Sequence, residues 1–497
     1  MLLGIDSGQT TLKVIVIDHD GLVLGSSSRP TQARTPAPHQ VERDMHELMT
    51  QCDLVIGEAL SAAAVVGSAI DGVGMVAHGD GLYLVGSDGQ PVRPAVLAVD
   101  TRAEGILDRW RSDGTLEAAV ALTGQEPFAG SLAPICAWLK QHEPAAFNDA
   151  RWLLSCKDWL RFGLTGEIAT DIVEANSCVG SLDGRSYSAE ALAVYGLESI
   201  EHKLPPICTP TDTAGVISDD AASRTGLRAG TPVMIGTHDV VAAALGSGAT
   251  EPGSFCAVAG TYSVNQLITN HRVVDPRWQA RPWLDAASWI YMAASPSSVT
   301  NFEWFLRTLM GEVRDPIAVA NDEVKMVADE PSSLQFHPFL YGSPYPGRSS
   351  GSLLGLQGWH TRGHLIRAIF EGVVFNHRYH LDALSEQSPR ELIRLTGGAS
   401  RSAIWTQLFA DILDCSIDVS AVGETGALGA AMLAGVGTGT YSRLSDATDR
   451  CVRVARTHAP DPARRHRWDE AYERYLASVE AIRPLWAVFD PPEIEKS

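Results

Sequence analysis

The sequence predicts an α/β protein. Short apolar, β-branched runs alternate along the chain with segments whose apolar residues recur at helical spacing. Glycine- and hydroxyl-rich turns separate them. The pattern that opens the chain also returns near its middle, which predicts two duplicated halves meeting near residue 246.

Leu2, Leu3 and Ile5 read as a strand leading into Asp6-Ser7-Gly8-Gln9-Thr10-Thr11. Val14 to Ile17 resume the apolar run, so the two form a hairpin. Asp20-Gly21 predicts a second hairpin. Met45, Leu48, Cys52, Val55, Ile56 and Ala59 share one helical face, with Asp44 as N-cap. A buried strand ends near Ala77. A turn at His78-Gly79-Asp80-Gly81 and a strand from Leu82 to Val85 follow. Ser87-Asp88-Gly89 turns the chain, and Val96 to Val99 predict a strand ending at Asp100. Helices and loops alternate to about Thr213. Val233 to Ile235 then lead into Gly236-Thr237-His238-Asp239 and an alanine-rich helix.

Phe255 to Val258, Ala259-Gly260-Thr261-Tyr262-Ser263 and Val264 to Ile268 repeat the opening strand, turn and strand. Leu392 to Leu395 form a strand running into Thr396-Gly397-Gly398-Ala399-Ser400, with a helix from Ile404 to Leu413 behind it. Gly423-Glu424-Thr425-Gly426-Ala427 opens a second glycine- and alanine-rich helix. Trp468, Tyr472, Tyr475, Val479 and Ile482 stripe a last helix, which Pro484 ends. Such a stripe packs on its own domain or on a partner chain.

Composition bounds the function. The 497 residues suggest two large domains, and 45% hydrophobic with 20% charged residues fits a globular chain, not a disordered one. A net charge of −20 repels phosphate backbones, so no nucleic-acid partner is expected. No apolar stretch is long enough to span a bilayer, so no membrane partner is expected. The start of the chain has no basic region and reaches Asp6 at once, unlike a secretory signal. The eight cysteines show no C-x-x-C pair and no zinc spacing, which predicts reduced, buried thiols in a cytoplasmic protein.

The turn Asp6 to Thr11 is the first candidate site. Backbone N–H groups and hydroxyls of a tight turn can face phosphate oxygens, and an aspartate at a strand end can hold Mg²⁺. Its structural alternative is an ordinary hairpin. Gly260-Thr261 is the matching turn of the second half, and Gly397-Gly398-Ala399 lets backbone approach a ligand closely. No Gly-Lys dipeptide exists, which excludes a P-loop. Asp239, between a strand end and a helix, is placed either to deprotonate a substrate hydroxyl or to cap the helix. His78, Asp80 and Asp100 sit at turns and strand ends, where they serve either as ligand contacts or as solvated loop residues.

These strings resemble the FGGY carbohydrate kinases of the sugar kinase, Hsp70 and actin superfamily, from Leu2 to about Tyr441. The most specific piece is Gly351-Ser352-Leu353-Leu354-Gly355-Leu356 followed by His364-Leu365-Ile366-Arg367-Ala368-Ile369-Phe370-Glu371, which fills the family's C-terminal signature. Two departures stand out. Gln9 occupies a turn position where the family often has Thr, and Ile135 takes a signature Lys position three residues before Trp138.

The resemblance implies two ribonuclease H-like domains flanking a deep cleft. Residues 1–246 would bind the sugar, 247–440 would bind ATP, and 441–497 would form a helical extension. It implies ATP and Mg²⁺ as cofactors and Asp239 as the catalytic base. Asp6 is implied as the metal carboxylate, and His78, Asp100, Asp239 and Asp80 as substrate contacts. Gly8, Gln9, Thr10, Thr11, Lys13, Gly260, Thr261, Gly397, Gly398 and Ala399 are implied on ATP. His78-Gly79 resembles xylulokinases. The longer string His78 to Tyr83, with Pro94-Ala95 and Asp100-Thr101-Arg102, is closer to L-xylulose and erythritol kinases. The implied reaction is phosphorylation of a small ketose such as xylulose, with an erythritol-type alditol as the alternative. A nucleotide-driven switch of the actin kind would hydrolyse ATP without responding to a sugar. A degenerate member would bind a sugar without phosphorylating it. A homodimer is left open.

Overall fold

In the first hairpin the hydroxyl-rich turn reverses the chain, and strand alternation decides where each side chain goes. The computed structural model describes residues 1–311, 314–345, 347 and 349–488. Strands β1 (Leu2–Ser7) and β2 (Thr11–Ile17) pair antiparallel with Asp6 opposite Lys13. Strand β3 (Val23–Pro30) continues the meander through the expected second hairpin. Helix α1 (Met45–Ala62) starts at Asp44, whose side chain accepts from the N–H groups of His46 and Glu47. All six of its predicted apolar positions are buried. Strand β4 (Gly72–Ala77) lies parallel to β1, with Gly4 beside Gly74 and Asp6 beside Val76.

The short helix α2 (Ile172–Ala175) and the strands β5 (Thr213–Val216), β6 (Pro232–Met234) and β7 (Thr237–His238) follow. They lead to helix α3 (Asp239–Gly246). The sheet order is β5-β6-β4-β1-β2-β3, with β7 also pairing to β4.

One strand was misjudged. Pairing covers only Ala95–Val96, not Val96 to Val99. After Val96 the chain bends, because the Asp100 N–H donates to the Leu97 carbonyl.

The same connectivity recurs later. Strands β8 (Phe255–Ala259) and β9 (Ser263–Thr269) pair antiparallel. Strand β10 (Gln279–Pro282) and the long buried helix α4 (Arg362–Ser385) follow. Strand β11 (Leu392–Thr396) lies parallel to β8, as β4 does to β1. Helix α5 (Ala403–Leu413), strand β12 (Ser416–Ser420), helix α6 (Thr425–Gly437), strand β13 (Val454–His458) and helix α7 (Arg465–Ile482) complete the elements used below.

By contact the chain forms two units. One comprises 1–252, 268–291 and 424–453, and the other 253–267, 292–423 and 454–497. Residues 424–440 therefore count with the first unit. The segment 441–497 is not purely helical, since β13 pairs with β12, and its residues 489–497 lie outside the described residues. The aromatic stripe of α7 packs inside its own unit, where Phe375 of α4 lies 5.2 Å from Tyr475 and 5.7 Å from Tyr472, ring centre to ring centre.

Within the first unit, α6 closes one face of the sheet. Leu3 and Ile5 join the core on the α1 face. Alternation puts Gly4 and Asp6 on the opposite face. A Cβ on Gly4 would collide with the Ala427 carbonyl, and one on Gly74 with that of Ala430. The two glycines form a trough that seats the alanine-rich helix directly on the backbone. Helix α3 meets α6 the same way, since a Cβ on Gly429 would strike the Ala242 carbonyl and one on Gly246 the Thr425 carbonyl.

Gly74→Ala should therefore cost about 1–3 kcal/mol, the usual range for overpacking, read as a lower urea midpoint. Gly105→Ala is the control, because among the described residues nothing beyond its neighbours and its own helix backbone lies within 4 Å of the added methyl. It should leave the midpoint unchanged or raise it.

Candidate active site

The first unit gathers Asp6, the Gly8 turn, Lys13 and Asp239. Asp6, next to last in β1, lies on the α6 face, and its carboxylate lies against the first turn of α6, where a Cβ on Gly426 would strike it. Asp239 is the first residue of α3, with His238 in the cap position. Its Oδ1 accepts from the Val240 N–H at 2.7 Å. Among the described residues, buried Asp6 Oδ1 has no hydrogen-bond partner. Burial, and then the charge of Asp239, push Asp6 up to about 7. Burial also raises Asp239, against the lowering effect of His238. Lys13 pairs with Glu424 at 2.5 Å and lowers both aspartates by its charge.

The turn itself is pinned from behind. The Gln9 carbonyl accepts from Thr31 Oγ1 at 3.0 Å and from the buried Arg43 guanidinium. The Gly8 N–H donates to the Thr11 carbonyl at 3.0 Å, and the Thr10 carbonyl accepts from the Thr31 N–H. Thr10 is exposed and Thr11 half-buried.

This donor set fits a hard cation. It offers a partnerless carboxylate oxygen and a neighbouring carboxylate that resists a second negative charge. Among the described residues no group of three or more His, Cys, Asp or Glu is arranged to hold a metal. Mg²⁺ typically needs only one or two carboxylates when phosphates complete its shell.

The turn that carries His78 and Asp80 packs on His238, the residue before Asp239. Burial, then the charge of Arg43, hold His78 down to about 3, so its ring is neutral. A Cβ on Gly79 would collide with the His238 ring, so the His78 turn rests on the residue before Asp239. Asp80 has a φ of +58° and accepts from Ser177 Oγ. Its Oδ2 lies 3.2 Å from Arg281 of β10, and its N–H donates to Glu174 Oε1 at 3.1 Å.

The Asp100 carboxylate is fully buried and holds Arg102 through both oxygens, at 2.8–3.0 Å, and the Val41 N–H at 2.6 Å. Arg102 also binds Glu42 at 2.8 Å. Both oxygens thereby anchor the Val41 and Arg102 segments to Asp100.

The second unit gathers the other strings. Gly397 has a φ of +91°, and a Cβ there would press on the Ala259 carbonyl, so the Gly397-Gly398-Ala399 loop backs onto the Gly260 turn. The Gly260 carbonyl accepts from the Val299 N–H at 3.0 Å, and the Thr261 carbonyl from Thr300 Oγ1 at 3.2 Å. Ser400 Oγ donates to the Gly397 carbonyl at 2.7 Å, and Ser402 caps α5.

The sequence alone assigns no role to Glu174, His238, Arg281 or Glu424. His238 and Glu424 lay inside quoted strings, where a charged side chain beside a predicted site was a usable signal. Glu174 and Arg281 carried none, because their partners lie far away in sequence.

Residues 1–246 match the N-terminal domain of the FGGY family of carbohydrate kinases, and residues 256–438 match its C-terminal domain. An L-xylulose/3-keto-L-gulonate kinase from Escherichia coli is 35% identical over 98% of both chains. An erythritol kinase from Brucella abortus is 27% identical over 98% of this chain and 97% of that one. Among solved structures, xylulose kinase from Rhodospirillum rubrum superposes with a TM-score of 0.87 at 26% identity, covering 98% of this chain and 99% of that one.

The raised Asp6 has a consequence for stability. Between its ordinary value near 4 and its folded value of about 7 the folded chain holds more protons than the unfolded one, so stability falls as pH rises through that window. Asp6→Asn removes the ionised form. Without divalent cations the variant should melt above wild type at about pH 8, with the gap closing by about pH 4. A variant melting below wild type throughout would contradict the burial of this charge.

Proposed function

The chain belongs to the FGGY family of carbohydrate kinases, and we propose that it transfers the γ-phosphate of ATP to a hydroxyl of a small ketose, first a ketopentose of the xylulose kind. The observation that carries the mechanism is Asp239, a carboxylate of raised proton affinity at the start of α3 and next to the His78 turn. A raised proton affinity makes a carboxylate a better acceptor of a hydroxyl proton. Asp239 takes the hydroxyl proton as the sugar oxygen bonds to the γ-phosphorus, and the bond from that phosphorus to the β-γ bridging oxygen breaks to release ADP. His78 and Asp80 orient the sugar.

Asp6 holds Mg²⁺, which when bound neutralises phosphate charge. Gly8, Gln9, Thr10, Thr11 and Lys13 face the phosphates. Gly260, Thr261, Gly397, Gly398 and Ala399 of the second unit bind ATP. Phosphoryl transfer passes through a loose transition state, so alignment and charge neutralisation supply most of the rate. The domain assignment (1–246 for sugar, 247–440 for ATP, 441–497 as an extension) and a cytoplasmic location belong to the same proposal. Buried free cysteines support the latter.

The ketopentose reading is supported by the relative at 35% identity. An erythritol-type alditol is the second reading, favoured by the relative at 27%. A screen of tetritols, pentitols, pentuloses, hexuloses and keto-acid sugars, read as ADP release, separates them. A pentulose should give the highest kcat/KM, and a tetritol leading would establish the second reading. Asp239→Ala should stay folded and lose about 10²–10⁴-fold in rate. Wild-type turnover in that variant would remove Asp239 from the mechanism.

A further inference from the structure

The candidate base and the candidate sugar turn come from distant parts of the chain, and one acidic side chain touches both. Glu174 Oε2 lies 2.7 Å from His238 Nε2, while its Oε1 accepts from the Asp80 N–H at 3.1 Å. His238 immediately precedes Asp239, and Asp80 belongs to the His78 turn. Arg281 closes the ring, with Nη2 3.2 Å from Asp80 and Nη1 3.2 Å from His238. Three residues before Glu174, Asp171 Oδ2 accepts from Thr237 Oγ1 at 2.9 Å. Asp171 is itself anchored on the buried Lys157 at 2.8 Å. Residues three apart on a helical turn face the same way. So α2 and its cap hold Thr237 and His238 with consecutive acidic groups.

We propose that Glu174 is a positioning residue, which sets the Gly236–Asp239 segment and the His78–Gly81 turn in register so that Asp239 meets the sugar hydroxyl. The inference rests on the reading of Asp239 as base.

Two observations exclude simpler roles. Glu174 is not itself a base. Burial alone would raise it, but the charge and hydrogen bond of His238 hold it down to about 2, so it stays ionised and committed. Nor is the contact local helix capping, because its partners are 64 and 94 residues away in sequence. Contact is continuous from the carboxylate to the His238 ring to the Gly79 backbone. The ring also balances charge. Glu174 and Asp80 offset Arg281 and a His238 whose protonated form burial opposes and Glu174 favours.

A displacement of about 1 Å at a reacting group costs on the order of 10²-fold in rate. The test compares Glu174→Ala, Glu174→Gln and Asp239→Asn with wild type. It measures kcat, the KM of the best sugar, the KM of ATP and the melting temperature. Sugar binding without nucleotide is followed by calorimetry.

Glu174→Ala should lower kcat by about 10²-fold and raise the sugar KM by about tenfold, with the ATP KM within about twofold. Glu174→Gln retains an acceptor for the Asp80 N–H and should recover about tenfold of kcat. A purely structural role would lower the melting temperature and the active fraction without separating the two KM values. Values of kcat and sugar KM within about twofold of wild type in either variant would overturn the proposal, as would equal rises in both KM values. If Glu174→Ala does not fold, the kcat of Glu174→Gln decides alone, wild-type turnover overturning the proposal. Full activity in Asp239→Asn would sink the base assignment instead, and the sugar-binding calorimetry would still decide the role of Glu174.

Discussion

Helix α6 reaches the first sheet only because Gly4 and Gly74 lie side by side on β1 and β4. A methyl at either place would lift the helix off the backbone. The close seat carries its first turn to the end of β1, where Gly426 meets the Asp6 carboxylate. Glycines at the α3 and α6 contact draw in the second helix, whose first residue is Asp239. Helix N-termini carry partial positive charge, which eases the approach of two acidic groups. The carboxylates still meet at a cost, since each is raised by burial and Asp6 also by Asp239.

That cost is what makes the pair useful. Two neighbouring carboxylates that resist double ionisation create a place for a cation and leave one of them with a raised proton affinity. The overall charge of −20 gives no general attraction for a polyanion such as ATP. Under the proposed function recognition is local, through backbone N–H groups, hydroxyls, Lys13 and a divalent cation. Lys13 shows the economy of the arrangement. It stands opposite Asp6 on the hairpin, tempers both aspartates and is itself half-neutralised by Glu424.

Much of this was legible in the sequence, because it is written locally. Turn chemistry gave both hairpins, helical spacing gave α1 and α7, and the duplicated opening matches the shared connectivity of β1-β2-β4 and β8-β9-β11. What stayed hidden depends on contacts between distant residues. Nothing near Gly4 announces that its partner is Ala427. The return of residues 424–440 to the first unit has the same origin. Asp100 stands at a predicted strand end, and only the fold shows that Arg102 and the Val41 N–H bind its carboxylate. The strand expected from Val96 to Val99 failed because apolar character alone does not distinguish a ladder from a buried bend. Glu174 and Arg281 form a site only after α2, β7, β10 and the His78 turn have been brought together.

Asp6 and Asp239 behave as one coupled pair. The most direct measurement is a pH titration of the carboxyl infrared bands of the cation-free protein with isotopically labelled aspartate. A protonated carboxyl should persist to about pH 7, and its signal should vanish or move to lower pH in both Asp6→Asn and Asp239→Asn. If every aspartate has ionised by about pH 5, or if the two variants leave the titration unchanged, the pair does not exist as described.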